Sequence, residues 1–283
     1  MTTSTNTTAR RAAITLLLGV VSMTLITPAS APAAVQDRPD LLRYFTEAGT
    51  TGTMVVQHHG SHRQTIVVGA RRSHVRYLPS STFKIPNSLL AIEYGVASGA
   101  AQAYPGPNPN YLVDGEPLLP PVCEGDLTLA SAFAFSCVPI YQRIARQLGR
   151  ATYRRELRAM HYGNGRLDGA PLDSFWLYGP FAISAREQVR FLERLRRGAL
   201  PLPERAMSEV REMMVLERSA ATVLRGKTGY VFSTWPRVGW WVGSVERGDR
   251  SWSFALNLDV TAPAQLAARQ SIARAILREL GAL

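Results

Sequence analysis

Short β-branched runs sit near both ends of this 283-residue chain and helical patterns fill its middle, which constrains the fold more than any other feature. Residues 53–58 (TMVVQH) and 64–69 (QTIVVG) are separated by Gly60 and polar residues, the pattern of a hairpin. Three more strand-like runs follow at 222–228, 238–245 and 251–258, the last two flanking Arg247-Gly248-Asp249-Arg250. That tetrapeptide has turn-forming residue types, so its Arg-Gly-Asp is read as a hairpin turn rather than an adhesion signal. Between the strands, helical periodicity begins at Pro86. Proline cannot sit deep inside a helix, so Ser81 to Lys84 form an opening turn. A second helix spans 138–149 with Gly149 as its stop, and a third starts at Ser184, where Ser184 and Glu187 form a capping box. Residues 100–121, rich in Pro and Gly, read as a long exposed loop, and an apolar-faced helix closes the chain at 263–280. The expected fold is α+β: an antiparallel β-sheet built from both chain termini and flanked by helices, with an inserted all-helical subdomain.

The first 34 residues do not belong to that fold. Arg10-Arg11 precede an apolar run from Ala12 to Ile26, and Ala29 to Ala34 offers small-residue cleavage sites, which together read as a secretory signal peptide. The expected division is therefore a leader over 1–34 and one domain over 35–283. No later stretch has the apolar length of a membrane span, and no cysteine follows the leader's apolar run, so no membrane anchor is expected. Without the leader, thirty bases face twenty-one acids. The arginines are scattered rather than gathered into a stripe, which argues against nucleic-acid binding. His58, His59 and His62 lack a metal-ligand pattern, and no metal is expected. Cys123 and Cys137 are the two cysteines; in an exported protein they are either a disulfide or a pair of buried free thiols.

The chain carries thirty arginines but two lysines, Lys84 and Lys227. An arginine keeps its proton, whereas a buried lysine can become a neutral amine. Ser80 and Ser81 both lie within one helical turn of Lys84, where a desolvated amine could take a proton from a serine hydroxyl. Spacing alone does not choose between them. Lys227-Thr228-Gly229 ends a predicted strand and is followed by Tyr230, with residue types suited to holding a carboxylate. Ser-x-x-Lys together with Lys-Thr-Gly is the signature pair of penicillin-recognising serine enzymes.

Six ordered segments extend that pair: residues 81–84 (STFK), 136–138 (SCV), 162–164 (YGN), 175–179 (FWLYG), 227–229 (KTG) and 240–243 (WWVG). On these the chain, from about residue 40 to 280, resembles the class D β-lactamases, or oxacillinases. The resemblance implies the β-lactamase fold and hydrolysis of penicillin-type antibiotics through an acyl-enzyme on Ser81, giving antibiotic resistance. It implies that Lys84 is N-carboxylated by carbon dioxide or bicarbonate and acts as general base, with no other cofactor. Such a lysine needs an apolar pocket, for which Phe83, Val138 and Leu177 are suitable, and the indole N–H of Trp176 as a donor. Ser136 would relay a proton, and the backbone N–H groups of Ser81 and Tyr230 would form an oxyanion hole. Lys227, Thr228 and Arg269 would hold the substrate carboxylate, with Gly229 beside them.

Members of that family usually carry tryptophan where this chain has Cys123, and alanine or valine where it has Cys137. The paired departure implies a Cys123–Cys137 disulfide and leaves one wall of the cleft differently shaped. Two other functions share the motif pair. A β-lactam sensor would be carried by membrane helices, and a peptidoglycan carboxypeptidase typically has asparagine where Val138 stands. Neither the substrate spectrum nor the oligomeric state follows from the sequence.

Overall fold

The computed structural model describes residues 1–4, 34–60, 63–113 and 115–283. The expected leader therefore lies outside the described residues, apart from its first four residues and Ala34. The described residues from Ala34 onward form one compact unit.

Its centre is a seven-stranded sheet. In chain order the strands are β1 (Ala34–Asp37), β2 (Gly52–His59), β3 (Gln64–Val68), β4 (Val215–Arg218), β5 (Thr222–Val231), β6 (Arg237–Arg247) and β7 (Arg250–Val260), and their spatial order is β1-β3-β2-β7-β6-β5-β4. The two ends of the chain meet where β2 pairs with β7, from Leu258 opposite Gly52 to Ser251 opposite His59. The sheet is antiparallel except at one edge, where β1 runs parallel to β3. That corrects the all-antiparallel expectation: residues 38–51, including the short helix Arg43–Glu47, carry the chain past β3 to reach β2. Gly248 and Asp249 form the β6–β7 turn, with Arg247 opposite Arg250.

Both faces of the sheet are buried, so its central strands are apolar on alternate and opposite sides. Trp240 and Val242 of β6 join the larger core against the helical middle. Their neighbours Trp241 and Val245 join a second core under the C-terminal helix, against Ile272, Ile276 and Leu277. The helices are α1 (Lys84–Glu93), α2 (Leu129–Ala134), α3 (Val138–Ala159), α4 (Ala185–Arg196), α5 (Glu204–Met213) and α6 (Pro263–Glu279). The Ser184/Glu187 capping box is formed at the start of α4. Gly149 leaves helical geometry (φ 75°, ψ 155°) and so stops the first helical run as expected; a second run, with Tyr153 and Leu157 buried, follows across the break within α3. The short α5 and the edge strand β4 had no expectation.

Residues 100–121 are largely exposed, as expected, but they are not a structureless loop. Ala103–Tyr104 pairs with Leu127–Thr128, and Tyr104, Asn108 and Leu119 are buried. Asn108 donates from its backbone to Glu124 O (2.8 Å) and from its side chain to Gly125 O (2.9 Å). The Cys123–Cys137 disulfide, with Cα atoms 5.4 Å apart, ties this cover to the start of α3. Free-thiol counting under denaturing conditions should find none. Cys123→Ser/Cys137→Ser should unfold at lower temperature, with a loss of about 3 kcal/mol for a loop of this size, read by denaturant titration.

Candidate active site

The site is built where the first turn before α1 meets β5. Ser80–Phe83 forms a 3-10 turn that runs into α1, with Pro86 in the first helical turn as expected. Ser80 takes a positive φ of 48° and is held there by two bonds. Its N–H donates to Trp176 O (3.0 Å) and its hydroxyl to Tyr230 O (2.5 Å). Ser81 is thereby the serine left facing Lys84, whose Nζ lies 3.3 Å from Ser81 Oγ. Geometry makes the choice that spacing left open.

Lys84 is 1% exposed, and its Nζ stands 4.9 Å from the centre of the Tyr141 ring. Burial, with a smaller contribution from the charge of Lys227, pushes its ammonium well below the ordinary lysine range. Phe83 stacks on Trp176 at 5.3 Å, and both rings are fully buried. Trp176 Nε1 is a buried donor with no partner. An orphaned donor of this kind carries an unpaid desolvation cost of about 1–3 kcal/mol, which an acceptor placed beside it would relieve. The residues present thus fit a carboxylated Lys84.

Ser136 lies between α2 and α3 with φ 62°, and its hydroxyl accepts a 2.5 Å bond from Lys227 Nζ. Lys227 is buried, and its ammonium is lowered to about 7, first by burial and then by the charge of Arg269. Arg269, on α6, is itself lowered to about 10 by burial, and its Nε and Nη1 are buried without partners. Two buried cations with unused donors are suited to an anion. Ser81, Ser136, Val138 and Leu177 line one cavity of about 280 Å³ with Thr228, Gly229, Tyr230 and Arg269.

The glycine of Lys-Thr-Gly, which lines this cavity, also packs against the serine turn. A Cβ at Gly229 would stand 3.1 Å from Pro79 O and 3.1 Å from Thr82 Cγ2, so the glycine lets β5 press against the serine turn. Two further motif residues are supports. Trp240 Nε1 donates to Leu78 O (3.0 Å), fixing the strand before that turn. Asn164 donates to Pro180 O (2.8 Å) and accepts from the N–H groups of Arg166 and Ala182, which closes the loop carrying Trp176 and Leu177.

Sequence reasoning missed the apolar side of the cavity, formed by Leu118, Leu119, Phe135 and Phe232. Apolar residues inside a Pro/Gly-rich segment were the available signal for the first two. It also missed Tyr141, which sits under Lys84 and shares a 2.8 Å hydrogen bond with Ser88. The histidines stand elsewhere: His58 stacks on Trp252, His59 pairs with Glu193 at 2.9 Å, and His62 lies outside the described residues. Among the described residues no group of His, Cys, Asp or Glu could hold a metal ion, and no helix is long and apolar enough to cross a membrane.

A serine held against a buried lysine, beside the two-core sheet of an α+β fold with Lys227 on the strand opposite, defines a penicillin-recognising serine enzyme. The family described as penicillin binding protein transpeptidase domain matches residues 50–278. Beta-lactamase OXA-48 of Klebsiella pneumoniae is 37% identical over 236 residues, covering 83% of this chain and 86% of its own length. Beta-lactamase OXA-2 of Salmonella typhimurium is 36% identical over 261 residues, covering 92% and 90%. A solved class D β-lactamase, YbXI from Nostoc, matches with a TM-score of 0.79 and 35% identity, covering 87% of this chain and 100% of that one. The chain belongs to the class D β-lactamases.

Proposed function

We propose that the protein hydrolyses β-lactam antibiotics through an acyl-enzyme on Ser81, and that it does so in the periplasm after removal of its leader. The observation that carries this reading is the Lys84–Ser81 pair: a lysine shut away from water, 3.3 Å from the one hydroxyl that faces it. Lys84 removes the Ser81 proton as Oγ attacks the lactam carbonyl, and the ring C–N bond breaks. The ring nitrogen takes up a proton through Ser136, which is bonded to Lys227. The backbone N–H groups of Ser81 and Tyr230 hold the developing oxyanion, and Lys227, Thr228 and Arg269 hold the substrate carboxylate. Water then cleaves the ester with Lys84 again as base. Carboxylation of Lys84 would supply a carboxylate base in place of an amine, with Trp176 Nε1 as its donor.

The test is hydrolysis of a chromogenic cephalosporin by the mature protein, with and without bicarbonate. Absence of turnover in both would overturn the reading. The alkaline side should report Lys227. Its ammonium is held near 7 in the free enzyme, so the positive charge fades as pH rises through neutrality and kcat/KM should fall there. Lys227→Arg should keep its charge and flatten that limb while retaining most activity. An alkaline limb identical in both enzymes would remove Lys227 from carboxylate binding.

A further inference from the structure

Trp235, between β5 and β6, is 74% exposed, more than any other aromatic side chain among the described residues. An indole left in water forgoes the favourable burial that aromatic side chains usually gain, and a ligand lying against it would recover that burial. The segment that carries it is tied down on both sides. Ser233 Oγ donates to Leu177 O (2.9 Å), and Arg237 Nη1 donates to Tyr230 Oη (2.9 Å). Trp235 forms one wall of a groove of about 160 Å³, with Ala262, Pro263 and Leu266 at the start of α6 forming another. This groove adjoins the Ser81 cavity, because Tyr230 and Leu266 line both. Trp235, Ala262 and Pro263 are exposed, and Tyr230 and Leu266 are half-buried, so a ligand can touch each of them. The groove is smaller than the sites that enclose whole small molecules, which begin at about 300 Å³, and suits a single substituent of a larger ligand.

Which substituent it would take follows from where the carboxylate is held. Pro263, Leu266 and Arg269 are spaced three residues apart, so one face of α6 leads from the carboxylate site to the groove. In a cephalosporin the carbon bearing the carboxylate is bonded to the lactam nitrogen, and the C3 carbon comes next around the ring. With the lactam carbonyl at Ser81 and the carboxylate at Arg269, the group on C3 lies farther from Ser81, on the side of Leu266. We propose that the groove is the subsite for the C3 substituent of a cephalosporin, and that Trp235 favours a flat apolar group there. This inference rests on the hydrolytic reading above and adds a preference among substrates to it.

The experiment compares two cephalosporins with the same acyl side chain, one carrying an arylvinyl group at C3 and one a methyl group, neither of which can leave. Ring opening gives kcat and KM for the mature native protein, Trp235→Ala and Trp235→Phe. Trp235→Ala should lower the arylvinyl-to-methyl ratio of kcat/KM by about fivefold or more, through KM, because the stacked group is held alike in the ground and transition states. Trp235→Phe should keep most of the ratio. The comparison of ratios cancels the intrinsic reactivity of each ring. An unchanged ratio would overturn the proposal, and so would equal losses on both compounds, which would mean that Trp235 only shapes its own loop. A second pair, differing only in the acyl side chain, should keep its ratio in Trp235→Ala. A shift there in place of the C3 effect would put the groove at the other end of the substrate and overturn the proposal too. Native protein that opens neither ring would overturn the proposed function and this inference with it, whereas normal ring opening with any of the other adverse outcomes removes the subsite alone.

Discussion

Ser81→Ala should lower turnover of a β-lactam by at least about a thousandfold, because the covalent route disappears and only binding and oxyanion contacts remain. Ser80→Ala should leave most of the activity. The two hydroxyls are neighbours in sequence yet face different partners: Ser81 Oγ lies 3.3 Å from Lys84 Nζ, while Ser80 Oγ donates to the carbonyl of Tyr230. Losing the Ser80 bond costs about 1 kcal/mol of local stability. It also loosens the link between the serine turn and β5, so a few-fold drop is expected, not abolition. Penicillin labelling followed by peptide mass mapping distinguishes the outcomes directly. An adduct on Ser80, or turnover by Ser81→Ala near the native rate, would end the assignment.

The parts of this protein that were legible in sequence are those where one residue type is chemically irreplaceable or where periodicity is strong. Lys84 stood out because the chain otherwise uses arginine, and its burial gives the reason: a guanidinium could not be held neutral there. The central strands were legible because both faces are buried and the runs are continuous. The parallel edge strand was not, since every residue of Ala34–Asp37 is exposed and the strand carries no alternation to read. The cover formed by 100–121 was hidden for a different cause. Its order comes from side-chain and backbone bonds of Asn108 and from the Cys123–Cys137 link, neither of which has a periodic signature. Gly229 marks a close approach without saying what approaches: the serine turn lies against it, and it also lines the Ser81 cavity. Tyr141, on the first turns of α3, looks in sequence like any core aromatic. Its place beneath Lys84 depends on how α3 crosses α1.

Lys84→Arg should cost as much as the loss of the nucleophile, because Lys84 serves both acylation and deacylation. The variant keeps a cation of similar reach but can neither become neutral nor take up carbon dioxide, so no base remains to activate the hydrolytic water. Turnover should fall by about a thousandfold, with acylation and deacylation both slowed, because Lys84 is the base for each step. The pH behaviour of the native enzyme follows from the same residue. Burial lowers the Lys84 ammonium well below its ordinary value, so the neutral amine that accepts carbon dioxide is available at pH values where an exposed lysine would be fully charged. Acidification protonates the carbamate, carbon dioxide leaves, and the amine is then protonated in turn. Activity should therefore decline as pH falls and recover on adding bicarbonate. The partnerless Trp176 indole enters here as the group that gains an acceptor when Lys84 is carboxylated. Trp176→Phe keeps the stacking on Phe83 but removes that donor, so it should need more bicarbonate for half-maximal activity. Carbon-13 NMR after labelled bicarbonate should show a carbamate resonance in the native protein that is absent in Lys84→Ala. Native turnover at full rate with no such resonance and no response to bicarbonate would leave Lys84 acting as a plain amine of lowered pKa, with the indole of Trp176 unpaired throughout the cycle.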